Sequence, residues 1–258
     1  MRLRSIFDLL FFISALMLAL SVRAHDFAFT GEARDIKTGT LLYTEEHFVS
    51  LAEDGDYQKS LVRYVAPDGA LIANKSLDFG ASQFAPMLSF KYHAYPLEYD
   101  ASYQNDTFVL ATNSPSRESN EEIEPSAGQA FVVDGGFDRL LVKFWDQLLS
   151  GEERQFDFLA ITRGSTIEFA LSMVGQTDER VRFRIEPGSW IISLLLDPIF
   201  LEYDRESRLL MRYEGLTNIA LSEGSDNVVA VIEYQYEEGS EVLALRGDNT
   251  NDSSLTVR

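Results

Sequence analysis

Ile167-Glu168-Phe169-Ala170-Leu171-Ser172-Met173, followed after a short polar gap by Arg180-Val181-Arg182-Phe183-Arg184-Ile185, is the stretch that decides the fold. In both runs apolar side chains recur at every second position, the period of a strand with one buried face. An antiparallel hairpin through Gly175–Glu179 pairs Met173 with Val181, Leu171 with Phe183 and Phe169 with Ile185, and keeps one face apolar throughout. A slip of one residue would turn that whole set to the other face, so the agreement is expected to fix the register. The same test applied to Ile199–Tyr203 and Leu209–Tyr213 pairs Tyr203 with Leu209, Leu201 with Met211 and Ile199 with Tyr213. A closing strand is expected from Val228 to Tyr236.

Outward from this hairpin the β signal repeats. Strands are expected at Phe27–Arg34, Leu41–Leu51, Ser60–Ala66, Leu71–Phe79, Leu88–His93, Leu97–Tyr103 and Thr107–Ala111. They are separated by turn chemistry such as Thr38-Gly39, Glu53-Asp54-Gly55-Asp56 and Pro67-Asp68-Gly69. Residues 113–129, NSPSRESNEEIEPSAGQ, are polar, acidic and hold two prolines. The stretch reads as a mobile loop within one β-rich domain. One helix stands out, because Phe137, Leu140, Leu141, Phe144, Trp145, Leu148 and Leu149 form a single apolar stripe at helical spacing. Asp134 or one of the two glycines after it begins that helix, and Gly151 sits where a C-terminal cap belongs. Trp190–Leu196 is almost wholly apolar and is stopped by Asp197-Pro198, which reads as a short buried helix or turn. Residues 237–258 are polar and read as a tail. The fold class expected is mainly β: a curved antiparallel meander, or half-barrel, with one amphipathic helix and a short apolar helix on its concave face.

The N-terminal residues address function more directly. Arg2 and Arg4 precede the apolar run Leu9–Leu20, which ends in Ser21-Val22-Arg23-Ala24. Basic residues, a short apolar stretch and small residues before a cleavage point are the layout of a secretory signal. The run is shorter than the ~20 residues that span a bilayer. Cleavage after Ala24 is expected to deliver the chain to the periplasm. Removing three basic residues and one acid takes the formal charge from −19 to −21. That charge argues against nucleic acid and anionic membranes as partners, since both need a basic face. No cysteine is present, which is ordinary for a bacterial envelope protein held by its core and excludes a thiol nucleophile. The sequons at Asn74, Asn105 and Asn251 and the tripeptide Arg246-Gly247-Asp248 are read as chance matches.

Phe137-Asp138-Arg139, Trp145, Phe156-Asp157-Phe158-Leu159, Asp197-Pro198-Ile199, Tyr203-Asp204-Arg205-Glu206-Ser207-Arg208-Leu209, Tyr213-Glu214-Gly215 and Asn218-Ile219 together resemble uncharacterised exported bacterial proteins of unknown function. Gly31-Glu32-Ala33, Thr38-Gly39, Leu42-Tyr43 and Pro67-Asp68-Gly69 extend the resemblance into the first half. More distantly, a strand meander with apolar helices is similar to the half-barrels of periplasmic lipoprotein carriers. That resemblance implies a greasy cleft for acyl chains or a lipidated partner.

The expected ligand site follows from the apolar segments. A lipid-sized pocket lined by Phe144, Trp145, Phe183, Trp190, Leu194 and Met211 is one reading; a filled core in a structural or interaction protein of the envelope is the other. Enzyme readings are thinner. His25, as a mature N-terminal residue, could chelate copper with His93 or His47, as in a histidine brace. Glu45-Glu46-His47 suggests acid–base or metal chemistry, but strand alternation sets Glu45 and His47 on one face and Glu46 on the other, which reads as a hydrogen-bonded histidine. A carboxylate pair for glycoside cleavage cannot be singled out among 41 acids. Arg180, Arg182 and Arg184 form a stripe that either holds an anion or pairs with acids on the neighbouring strand. No catalytic residue, metal or cofactor is assigned. N-terminal sequencing of protein recovered from a bacterial periplasm is expected to begin at His25; a chain that keeps the Leu9–Leu20 run would contradict the leader.

Overall fold

The computed structural model describes residues 26–105, 107–189 and 196–237. Among these residues fifteen strands form one sheet. The first eight are β1 (Phe27–Asp35), β2 (Leu41–Leu51), β3 (Tyr57–Val65), β4 (Leu71–Asp78), β5 (Met87–Tyr92), β6 (Glu98–Gln104), β7 (Thr107–Ser114) and β8 (Arg117–Ile123). The second set is β9 (Ala130–Val132), β10 (Arg154–Ala160), β11 (Ser165–Gln176), β12 (Arg180–Pro187), β13 (Ile199–Asp204), β14 (Leu210–Leu216) and β15 (Val229–Tyr236). Two helices, α1 (Gly136–Lys143) and α2 (Trp145–Leu149), lie between β9 and β10.

The spatial order runs β8 to β1, then β15 down to β9. The chain therefore meanders outward from β1 to one edge, passes to the other edge, and meanders back until β15 pairs with β1. All pairings are antiparallel except β9 with β10. The mainly β, antiparallel meander expected from alternation is what forms, open rather than closed into a barrel.

Connectivity dictates its curvature. Laid flat, fifteen strands would hold β8 and β9 about 65 Å apart. Residues 124–129 join them and can span only about 25 Å. The sheet must curl until its edges approach, and side chains from the two sides do meet. Phe108 of β7 packs edge-on to Phe131 of β9 with ring centroids 5.0 Å apart. The Ser126 N–H donates to the buried Asp157 carboxylate of β10 at 2.5 Å.

Three details differ from the sequence reading. The first hairpin pairs Leu171 with Ile185 and Met173 with Phe183, two residues from the expected register. Its turn lies later, closed by the Thr177 N–H donating to the Arg180 carbonyl at 2.8 Å, and a bulge between Met173 and Gly175 takes up Val174. A shift of two leaves every side chain on its own face, so alternation cannot see it. Likewise Leu201 faces Tyr213 rather than Met211, with a bulge at Glu202/Tyr203.

Second, residues 113–129 are not one loop. β7 runs on to Ser114, and Arg117–Ile123 pairs with β7 as an edge strand in which only Ile123 is buried. An edge strand satisfies its backbone on one side and carries charges that deter further pairing, which is why its composition reads as loop.

Third, the apolar stripe is two helices. The backbone bends at Phe144 (φ −102°, ψ 18°), and Trp145 and Leu148 turn into β11–β13. Gly151 caps the end as expected, with φ +93° and its N–H donating to the Leu148 carbonyl at 3.1 Å. Trp190–Leu195 and residues beyond Glu237 lie outside the described residues.

The concave face carries two apolar clusters. One joins β1–β8 to β15 around Tyr43, Tyr64, Phe90 and Leu110. The other packs α1 and α2 onto β9–β13 around Leu141, Trp145, Phe183 and Tyr203. The helix start touches the first half directly: Phe84, between β4 and β5, accepts from the Val133 N–H at 2.9 Å. A Cβ on Gly136 would lie 1.8 Å from the same Phe84 carbonyl oxygen. Gly136→Ala is accordingly expected to destabilise the fold by about 3 kcal/mol, at the upper end of overpacking costs. Urea unfolding followed by circular dichroism measures it, and a loss under ~0.5 kcal/mol would contradict this close approach.

Candidate functional site

Between the two clusters the curled sheet leaves a cavity of about 640 Å³. Its walls come from the inward positions of β2, β3 and β4, from β10 and β11, from β14 and β15, and from α1. The apolar lining includes Val62, Leu77, Phe79, Phe158, Ile167 and Ile232. Polar side chains interrupt it, and two sets of them are built by specific contacts.

The first is built on β2. Glu45 and His47 share one face, as alternation requires, and His47 Nε2 lies 2.8 Å from Glu45 Oε2. The His47 ring stacks on Phe29 of β1, centroid to centroid 4.1 Å. Gly31 stands between Glu45 and Tyr234 in the β2–β1–β15 register. A Cβ there would lie 2.7 Å from the Tyr234 ring. Lacking one, Gly31 lets Tyr234 cross β1 and donate its hydroxyl to Glu45 Oε2 at 3.2 Å. The reading of His47 as a hydrogen-bonded histidine thus holds, and Glu46 pairs with Arg63 on the outer face at 2.6 Å.

The second lies where α1 begins. Lys75 of β4 pairs with Asp134 at 2.7 Å, both side chains at most a tenth exposed. Asp134 takes a left-handed backbone conformation, φ +45°, which aims its carboxylate back to accept the Gly135 N–H at 2.8 Å and the Asn218 amide at 2.7 Å. Both polar groups share a signal that sequence analysis can detect: a charge in phase with the apolar face of a strand. Glu45 falls in phase with Tyr43 and Val49, and Lys75 with Ala73 and Leu77.

Tyrosines also meet the charged side chains of α1. Tyr203 donates to Asp138 of α1 at 2.9 Å, and the Arg139 guanidinium lies 4.4 Å from the centre of the Tyr57 ring. Burial pushes the hydroxyls of Tyr43, Tyr64, Tyr203, Tyr234 and Tyr236 well above the ordinary range, and the carboxylates of Glu45 and Asp138 add to it.

The residues expected to form the site lie elsewhere. Trp145 and Phe183 pack on one another at 5.3 Å and on Tyr203, filling the second cluster. Phe144 packs against that cluster beneath Arg154, whose guanidinium is 4.5 Å from the ring centre. Met211 borders a recess beside the charged ladder on the outer face. None of these four lines the cavity. Trp190 and Leu194 lie outside the described residues. The difference is physical: apolar periodicity reports burial, and a filled core buries an aromatic as well as a cavity wall does.

The arginine stripe is taken up by acids. Arg182, Glu202, Arg212 and Glu233 stand directly opposite one another across β12–β15, so charge alternates from strand to strand. Arg180 pairs with Asp204 at 3.4 Å and Arg184 with Glu186 at 2.7 Å. Among the described residues no group of three His, Asp or Glu side chains is placed to hold a metal ion. His93 hydrogen-bonds Asn74 at 3.0 Å, and His25 lies outside the described residues. Among the described residues no helix is long and apolar enough to cross a membrane.

No family model matches this sequence, and no curated protein does. Among solved structures, the chain is similar to a beta-barrel-like protein of a domain of unknown function, DUF1849, from Brucella abortus. The identity is 9%, the TM-score 0.45, and the alignment covers 82% of this chain and 94% of that one.

The tyrosines yield a pH prediction. Their hydroxyls are held neutral above the unfolded value near 10. Their contribution to stability is therefore complete below pH 10 and is lost as pH rises beyond it, when only the unfolded chain releases its protons. Absorbance at 295 nm is expected to show a cooperative rise coincident with loss of the circular dichroism signal. Independent, non-cooperative ionisation near pH 10 with the fold intact would contradict the burial of these rings.

Proposed function

We propose that this protein is exported to the periplasm and binds a hydrophobic ligand with an acyl chain in the cavity between its two apolar clusters. The observation that carries this reading is the cavity, about 640 Å³ and walled mainly by apolar and aromatic side chains. That volume lies within the range of small-molecule sites, which combine apolar walls with a few fixed polar groups. The basic, apolar, small-residue order of the first 24 residues supports export. The acidic surface and the pairing of the arginine stripe with acids favour a ligand taken up by its apolar part. A filled-core structural role finds less support, since the space lies at the centre of the concave face.

Chain length and cavity shape both test the proposal. Each buried methylene contributes about 0.8 kcal/mol, so shortening a bound chain by two carbons is expected to weaken binding somewhat more than tenfold. Ser60 and Leu61 are neighbours on β3 that face opposite ways: Ser60 lines the cavity, and Leu61 is exposed. Ser60→Trp is expected to reduce binding of a fluorescent fatty-acyl probe at least tenfold, and Leu61→Trp to leave it unchanged, with the fold of both checked by circular dichroism. If the wild-type protein binds no such probe, and native mass spectrometry finds no lipid-like mass on protein from its own host, the acyl-ligand reading fails.

A further inference from the structure

The buried ammonium of Lys75 has more donors than acceptors. Three N–H groups leave an ammonium, and among the described residues one carboxylate, that of Asp134, receives them. Asp134 also accepts from the Gly135 N–H on the oxygen that meets Lys75 and from the Asn218 amide on the other. Ring faces also lie close to the ammonium, Tyr64 at 5.4 Å and Phe90 at 6.0 Å from their centroids. The lysine side chain is 8% exposed and lines the cavity. A buried donor left without an acceptor is costly, and more so when it is charged.

Electrostatics select the kind of oxygen that fits there. The Tyr213 hydroxyl lies within electrostatic reach of Glu45, Asp134 and Lys75 together, so these three charges share one environment. Two carboxylates face one ammonium there, so the environment holds no cation to spare for an anionic headgroup. Around the whole cavity, acids outnumber lysine and arginine side chains five to four.

We infer that Lys75 anchors the ligand through an uncharged carbonyl oxygen, so that the cavity selects acyl esters over free fatty acids. This rests on the acyl-chain reading above and specifies its polar end. The ligand's ester carbonyl accepts from the Lys75 ammonium while the chain lies along Val62, Phe158 and Ile167. Asp134, Asn218 and the left-handed turn at Asp134 act as positioning groups that hold the lysine.

Three probes of equal chain length separate the possibilities: oleate, monooleoylglycerol and the hydrocarbon octadecene, titrated at pH 8 by displacement of a fluorescent acyl probe. Monooleoylglycerol is expected to bind at least tenfold more tightly than oleate. Oleate binding as tightly or more tightly overturns the inference and leaves the acyl-chain reading standing. Failure of all three to displace the probe overturns both. The double variant Lys75→Met/Asp134→Asn removes the charges together, and asparagine tolerates the left-handed conformation. It is expected to lose at least tenfold in monooleoylglycerol affinity with octadecene unchanged; equal affinity to wild type overturns the anchor. Infrared spectroscopy of the wild-type complex with a ¹³C-carbonyl ester needs no variant. The C=O stretch is expected below that of the same ester in hydrocarbon, and an unshifted band overturns the contact.

Discussion

Residues 124–129 govern the architecture. They link the two edges of a fifteen-stranded sheet, and so short a link is incompatible with a flat or gently twisted sheet of that width. Curling follows, and with it a concave face too large to fill by the inward side chains alone. The two helices cover part of that face, because they lie between β9 and β10 and must pack close to where the link delivers the chain. What remains uncovered is the cavity. Its position between the clusters is a consequence of connectivity, and its chemistry is then set by whichever residues fall inward on each strand.

The polar groups in that cavity are held by the same geometry. Glu45 and His47 face inward because β2 pairs with both neighbours without a register break from Thr44 to Val49. Tyr234 reaches Glu45 because Gly31 presents no side chain between them. Lys75 meets Asp134 because the chain leaves β9 through a left-handed residue immediately before α1. Each contact joins strands or helices distant in sequence, so the polar groups also fasten the two halves of the sheet together. A buried pair of this kind is weak evidence for net stability, but removing one partner leaves an uncompensated charge. The outer face works differently: its alternating Arg182, Glu202, Arg212 and Glu233 are exposed enough for water and salt to weaken each pair.

Much of this architecture is legible in the sequence, and the gaps have physical causes. Alternation along Ile167–Met173 and Arg180–Ile185 identifies antiparallel strands and the inward face of each, since a wrong face would expose Phe183 and Leu171. It is blind to a shift of two, which is how the bulge at Val174 escapes. β8 is invisible for the opposite reason: an edge strand buries almost nothing, and Arg117–Ile123 carries the charges of a solvated segment. Helical spacing locates α1 and α2 but not the bend at Phe144, which reflects the surfaces beneath. The candidate site is the least legible part, because Trp145 and Phe183 have the same sequence signature whether they line a void or fill one. The better indicators are Glu45 and Lys75, whose charges fall on apolar faces.

The proposed function places a ligand in the space between the clusters. Anomalous diffraction from crystals grown with a bromine-labelled acyl ester tests it most directly. Bromine peaks are predicted inside the cavity, among Val62, Phe158 and Ile167, with the ester oxygen near Lys75. Peaks confined to the protein surface, or side chains closing the space between β3 and β11, would contradict the account.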